Sequence, residues 1–185
     1  MTPKGRRSKE ALLLAGGAVA ARDGLAGLSV AAVAAQAGLA KGTFYLYFPD
    51  REAFIDALHQ RFYADVNEAV TAAVGVLPPG RERLLAAIDA YLDVCLVNRA
   101  VKALVLETRA QGELTTTMEE REELFVGLAE PCTRAMGLRP ARVFARLAVA
   151  LTSEVALIEL ETGRRVPRAR SAIHTLLACV PGAAP

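Results

Sequence analysis

The chain is poor in the features that mark most other classes of protein. Strand signals are weak: alternating β-branched runs are few, and no Asn-Gly or Asp-Gly pair joins two of them, since Asp23-Gly24 lies between helical patterns. No run of about 18 uncharged apolar residues occurs, which excludes a membrane-spanning helix. The cysteines are three, Cys95, Cys132 and Cys179, widely spaced and without a C-x-x-C. A disulfide framework or zinc finger does not fit that pattern. They read as small buried hydrophobes, with a redox-sensing thiol as the alternative. No glycine-rich phosphate loop, G-x-S-x-G or Cys/His pair is found. Asp56, His59 and Tyr63 share a helix face, but such a cluster reads as ordinary helix surface rather than a metal site. With no catalytic constellation, the chain is expected not to be an enzyme and to use no metal or cofactor.

What is present is helix-forming and apolar. The 185 residues are 53% hydrophobic and 23% charged, with a mean hydropathy of +0.28. That is enough to bury a core, and it excludes a disordered chain. The formal charge of +2 is unevenly spread. Residues 1–51 carry seven basic side chains against three acidic ones, and the remainder is slightly acidic. A basic head on an acidic body suits a polyanion at one end. The N-terminus holds Lys4, Arg6, Arg7 and Lys9 but no uninterrupted secretory apolar core, so a cytoplasmic protein is expected.

Helical periodicity runs almost throughout. A first helix is predicted from Ser8 to Asp23, stopped by Gly24. A second follows Ser29 as N-cap and ends at Ala37, with Gly38 beyond it. A short third spans Lys41–Phe48. A long fourth, capped by Asp50, spans Arg51–Val74. After Pro78-Pro79-Gly80 come Arg81–Val97 and Arg99–Ala110. Thr116-x-x-Glu119 is a capping box for a helix reaching Met136 and containing Pro131. Helices over Arg139–Thr162 and Arg168–Val180 complete about nine. The helix over 139–162 is apolar around most of its circumference: Phe144, Leu147, Leu151, Val155 and Ile158 form one stripe. A helix apolar on several sides is buried on several sides, so it can pack against its own domain and a partner chain.

Residues 29–48, SVAAVAAQAGLAKGTFYLYF, carry the functional signal. A capped helix, a three-residue glycine turn and a second short helix make a helix-turn-helix, which presents its second helix to the DNA major groove. Phe44 and Phe48 lie four apart and pack inward. Lys41, Thr43, Tyr45 and Tyr47 project elsewhere, with groups suited to phosphates and base edges.

The run from Gly38 to Phe54, GLAKGTFYLYFPDREAF, resembles the signature of the TetR family of transcriptional regulators, in which G-V-S-K-G-T-x-Y-x-Y-F-x-x-K-E-x-L closes the DNA-binding head. The resemblance is at motif strength over about residues 8–60. It implies an all-α fold: a three-helix helix-turn-helix head with its basic arm (1–50), and a helical effector-binding and dimerisation domain (51–185). It implies a homodimer on a near-palindromic double-stranded operator, pairing through its last two helices. By position in the motif, Ser29, Lys41, Gly42, Thr43, Tyr45, Tyr47 and Arg51 are the DNA-binding set, with Tyr45 and Arg51 on phosphates. Two departures stand out. Ala40 replaces the usual Ser or Thr cap of the reading helix, a change worth about 0.5–2 kcal/mol in typical hosts. Ala31 stands where many members place a polar DNA contact, so the basic arm is a candidate for the minor groove.

The implied function is a sequence-specific DNA-binding, ligand-responsive regulator, expected to be a repressor that an effector releases from its operator. The effector pocket is expected among Tyr91, Cys95, Glu107, Arg109, Glu122, Phe125 and Glu154, with Glu154 the sharpest candidate as a carboxylate in the most apolar helix. The dimer interface is expected to use Leu147, Leu151, Val155, Ile158, Ile173, Leu176 and Leu177. The effector itself is not identified, and no membrane partner is expected. The alternative is a helical small-molecule-binding or interaction protein that has lost DNA binding, supported by Ala31 and Ala40.

Overall fold

The computed structural model describes residues 2–110 and 115–178, with side chains over 2–107 and 122–177. Among them are nine helices and no strand: α1 (Pro3–Gly27), α2 (Val30–Gln36), α3 (Lys41–Tyr45), α4 (Arg51–Val74), α5 (Arg81–Val97), α6 (Arg99–Ala110), α7 (Thr115–Ala135), α8 (Ala141–Thr162) and α9 (Pro167–Ala178). Among the described residues, no helix is long and apolar enough to cross a membrane.

Two compact units form. The first joins residues 2–64 with 98–110, and the second joins 65–97 with 115–178. The first unit therefore takes in more than the expected 1–50 head: it includes the first half of α4 and all of α6.

In the first unit, α1 starts five residues before the predicted Ser8. The Thr2 hydroxyl accepts the Gly5 N–H at 3.2 Å, and Pro3 sits in the first turn, where its missing N–H has no helical partner to lose. The basic residues Lys4, Arg6, Arg7 and Lys9 thus lie on a helix rather than on an extended arm. Gly24 breaks the helix with φ +64°, and one more turn follows to Gly27. Leu12, Val19, Val33, Phe44, Phe54 and Leu104 are buried together. Gly16 lets α1 and α4 approach closely: a Cβ there would fall 2.5 Å from the Phe54 ring.

The second unit packs α5, α7, α8 and α9 with the last turns of α4 around Leu84, Ile88, Leu92, Val126, Val155 and Ile173. Pro131 lies within α7. The predicted capping box Thr116-x-x-Glu119 and Cys179 lie outside the described side chains. Cys95 and Cys132 are free thiols and buried.

The predicted stripe of α8 needs correction. Its buried positions are Ala145, Ala148, Thr152, Val155, Ala156 and Glu159, while Leu147 is 53% exposed and Leu151 38%. The inward face is the small one because α7 lies close against it, and the leucines point out. Val155, Ile173 and Leu177 are buried in their own chain, so they are not available to a partner; Leu147, Leu151 and Leu176 are.

Glu159, not Glu154, is the buried acid of α8. Arg170 of α9 donates Nε and Nη2 to its two oxygens at 2.8 and 2.7 Å, and the Val166 N–H adds a third bond at 2.8 Å. Nη1 of Arg170 reaches Asp93 of α5 at 2.6 Å, so one guanidinium joins three helices. Burial pushes the Glu159 carboxyl up, but the bonds from Arg170 and Val166 outweigh it and leave the group below the usual carboxylate range.

Candidate nucleic-acid interface and cavity

The helix-turn-helix is built from local backbone bonds. The Ser29 hydroxyl caps α2 by accepting the Ala32 N–H at 3.2 Å. At the other end, Gly38 takes φ +66°, its N–H bonds Ala35 O at 3.1 Å, and the Leu39 N–H bonds Ala34 O at 2.9 Å. This paired closure is the Schellman motif, and it fixes the turn before α3. Ala40 supplies no side-chain bond to the first turn of α3, as its methyl group dictates. The helix ends at Tyr45 instead of the predicted Phe48, but Phe48 still packs inward.

Aromatic packing holds α3 in place. Phe44 and Phe48 are buried beside Phe54, with ring centroids 4.9–5.4 Å apart. Lys9 of α1 lies 5.5 Å from the Phe48 ring centre, a cation–π contact that ties the basic end of α1 to this cluster. With the rings inside, Lys41, Gly42 and Tyr45 are exposed, and Thr43 and Tyr47 are half-buried. Ser29 is exposed at the start of α2. All seven predicted DNA-binding residues, Arg51 included, are thus exposed or half-buried.

Arg51 differs in its bonding: it spends donors on backbone carbonyls. Its Nε donates to Leu28 O and its Nη2 to Leu25 O, both at 2.7 Å, and Nη1 lies 3.8 Å from Glu52. It closes the carbonyl end of α1, where the chain needs a cationic partner. These bonds occupy two of the donors that the resemblance assigns to a phosphate. The Leu25 peptide is held from its other side too: its N–H donates to Glu107 of α6 at 3.1 Å. Glu107 therefore packs within the first unit.

Sequence reasoning missed Leu46, which is 78% exposed between Tyr45 and Tyr47. The F-x-x-x-F spacing held the signal, since it puts position 46 opposite the buried rings. An exposed apolar side chain here can meet a thymine methyl group.

The second unit contains a cavity of about 240 Å³. It lies between the last turns of α4, and α5, α7 and α8. Two predicted pocket residues line it, Tyr91 and Phe125, with ring centroids 5.7 Å apart. Cys95, Glu122 and Glu154 are not in its lining, and the Arg109 side chain lies outside the described residues. Cys95 is buried and Glu154 is exposed. Arg83 and Thr152, which sequence reasoning missed, do line it. Among the described residues, no group of three His, Cys, Asp or Glu side chains is placed to hold a metal ion.

An all-helical chain with a capped, glycine-turned helix pair and a separate helical unit enclosing a cavity defines a class: helix-turn-helix proteins with a helical body. Residues 12–58 match the family model of bacterial regulatory proteins, tetR family. No curated protein matches the sequence. Among solved structures, the fold is similar to a TetR-like transcriptional regulator from Rhodococcus sp. RHA1, at 20% identity, covering 92% of this chain and 93% of that one with a TM-score of 0.80. It is also similar to a second transcriptional regulator from Rhodococcus sp. Rha1, at 19% identity, 96% and 99% coverage and a TM-score of 0.81. A regulator of the TerR/AcrR family from Aquifex aeolicus VF5 is similar at 16% identity, 94% and 99% coverage and a TM-score of 0.73. Over residues 12–58 the head thus resembles the tetR family, and along its length the chain shares the fold of these solved structures.

Proposed function

We propose that this protein is a sequence-specific DNA-binding transcriptional regulator of the cytoplasm, a repressor released from its operator by a small-molecule effector. The observation that carries the reading is the outward set on α3: Lys41, Gly42 and Tyr45, flanked by Thr43 and Tyr47, on a helix anchored by buried rings. A cation, two phenols, a hydroxyl and a bare backbone position suit phosphates and base edges. The active form is a homodimer. Its exposed leucines on α8 and α9 supply the apolar contact, and two-fold symmetry sets the reading helices about 34–36 Å apart, or a small multiple, on a near-palindromic site. The cavity is the effector site, and an effector preferring the released state weakens DNA binding by roughly 5–150-fold.

Fluorescence anisotropy on the DNA upstream of the gene, across a salt series, tests this. Tight binding with a steep salt slope, beyond that on scrambled DNA, is expected. The double variant Lys41→Ala with Tyr47→Ala should lose both affinity and part of the slope. A second reading, a helical ligand-binding protein without a DNA role, is favoured by the uncapped start of α3 at Ala40. It is the correct one if that double variant binds DNA as the native chain does.

A further inference from the structure

The lining of the cavity in the second unit is unbalanced in charge. It is mostly apolar, with Val70, Leu84, Ile88 and Phe125 among its walls, and its hydroxyls include Thr152 and Tyr91. Among the described lining residues, Arg83 is the charged one, and no Asp or Glu accompanies it. Arg83 is half-buried, and Nη1 donates to Leu77 O at 2.7 Å. That carbonyl orients the guanidinium without neutralising it. The lining offers no carboxylate to the remaining guanidinium N–H groups, and an anionic guest can take them. Arg83 also stands in the first turn of α5, where the positive end of the helix adds to the same field.

We propose that this cavity takes a small apolar molecule bearing one carboxylate, held by Arg83. Guanidinium donors match a carboxylate in a two-bond fork. A single cation balances one negative charge; a phosphate ester, at nearly two, would leave a surplus. An amine would be repelled. The volume lies below the roughly 300–1,000 Å³ of drug-sized sites, so the apolar part is short. The assignment rests on the regulator reading only for its effect on DNA; the binding site stands or falls separately.

Isothermal titration calorimetry of the full chain with octanoate, octanol and octylamine tests it. Octanoate is expected to bind once per chain, roughly 10- to 100-fold more tightly than octanol, the range of a charge-assisted hydrogen bond, and octylamine weakest. Arg83→Gln should bring octanoate down to the octanol level, and Arg83→Lys should keep part of the preference. Ala87→Leu, which narrows the cavity from its wall, should weaken octanoate and octanol together. Circular dichroism melts confirm that each variant is folded, and Arg83→Lys keeps the test open should Arg83→Gln not fold. Equal binding of octanoate and octanol, an unchanged octanoate affinity in Arg83→Gln, or no octanoate binding overturns the assignment. Arg83-dependent octanoate binding that leaves operator affinity unchanged upholds the carboxylate site and removes the effector reading. Operator binding by a chain that ignores octanoate does the reverse.

Discussion

Arg51 commits two donors to the carbonyls of Leu25 and Leu28, so its loss is felt before any DNA is present. Hydrogen bonds to charged groups are worth roughly 1.5–3 kcal/mol each. Arg51→Ala is expected to lower the melting temperature of the free protein, measured by circular dichroism. An unchanged melt with a shallower salt slope on DNA would restore the phosphate role to Arg51. Gly42 behaves in the opposite way. A Cβ built there meets nothing within 4 Å, and its φ is not positive, so the fold itself does not demand glycine. Removing glycine from a helix gains roughly 0.5–1 kcal/mol. Gly42→Ala is therefore expected to melt no lower than the native chain and to bind operator DNA more weakly, because a methyl group now stands between backbone and phosphate. Equal DNA affinity would show that nothing approaches Gly42 closely. Both residues sit in one short motif, and motif matching treated them alike. What separates them is the direction each faces, which for Arg51 depends on carbonyls 23 and 26 residues away.

Among elements, α4, α5 and α6 have the predicted bounds, because caps, prolines and a 3.6-residue period speak locally. The failures lie where two answers share one pattern. In α8 both the leucine face and the alanine face are apolar, and periodicity does not say which turns inward. Its acids Glu154, Glu159 and Glu161 look equivalent in the sequence; the partner on α9 decides among them. That pair makes stability pH-dependent. The folded-state Glu159 carboxyl titrates below its ordinary value, so the folded chain holds this proton less readily than the unfolded chain. The stabilisation is full above the unfolded value of about 4.3 and drains away as pH falls through the folded one. Glu159→Gln is expected to cost about 3–5 kcal/mol at pH 7, as breaking a buried pair does. In urea melts from pH 7 to pH 3, the gap between native and variant should shrink. A gap constant across that range would mean that the charge on Glu159 contributes nothing.

For the whole molecule, the class of fold and the head were legible from residues 29–54, whereas the lining of the cavity was legible only at Tyr91 and Phe125. A cavity is assembled from four helices with long stretches of chain between them, and Arg83 carries no local pattern that marks it. The exposed leucines of α8 lead to one more expectation. Leu147→Glu with Leu151→Glu should convert the proposed dimer to monomer in sedimentation equilibrium and weaken operator binding, with the helical content kept. A dimer that persists would place the interface elsewhere. The reading helix has a broader consequence. It is five residues long, has no side-chain cap, and is positioned by Phe44 and Phe48 seated beside Phe54. Its outward residues therefore carry little of the burden of folding. On the proposed reading, descendants of this chain can exchange Lys41, Thr43, Tyr45 or Leu46 and acquire a new operator while the rings keep the helix where it is, so target choice can drift across lineages on an unchanging scaffold.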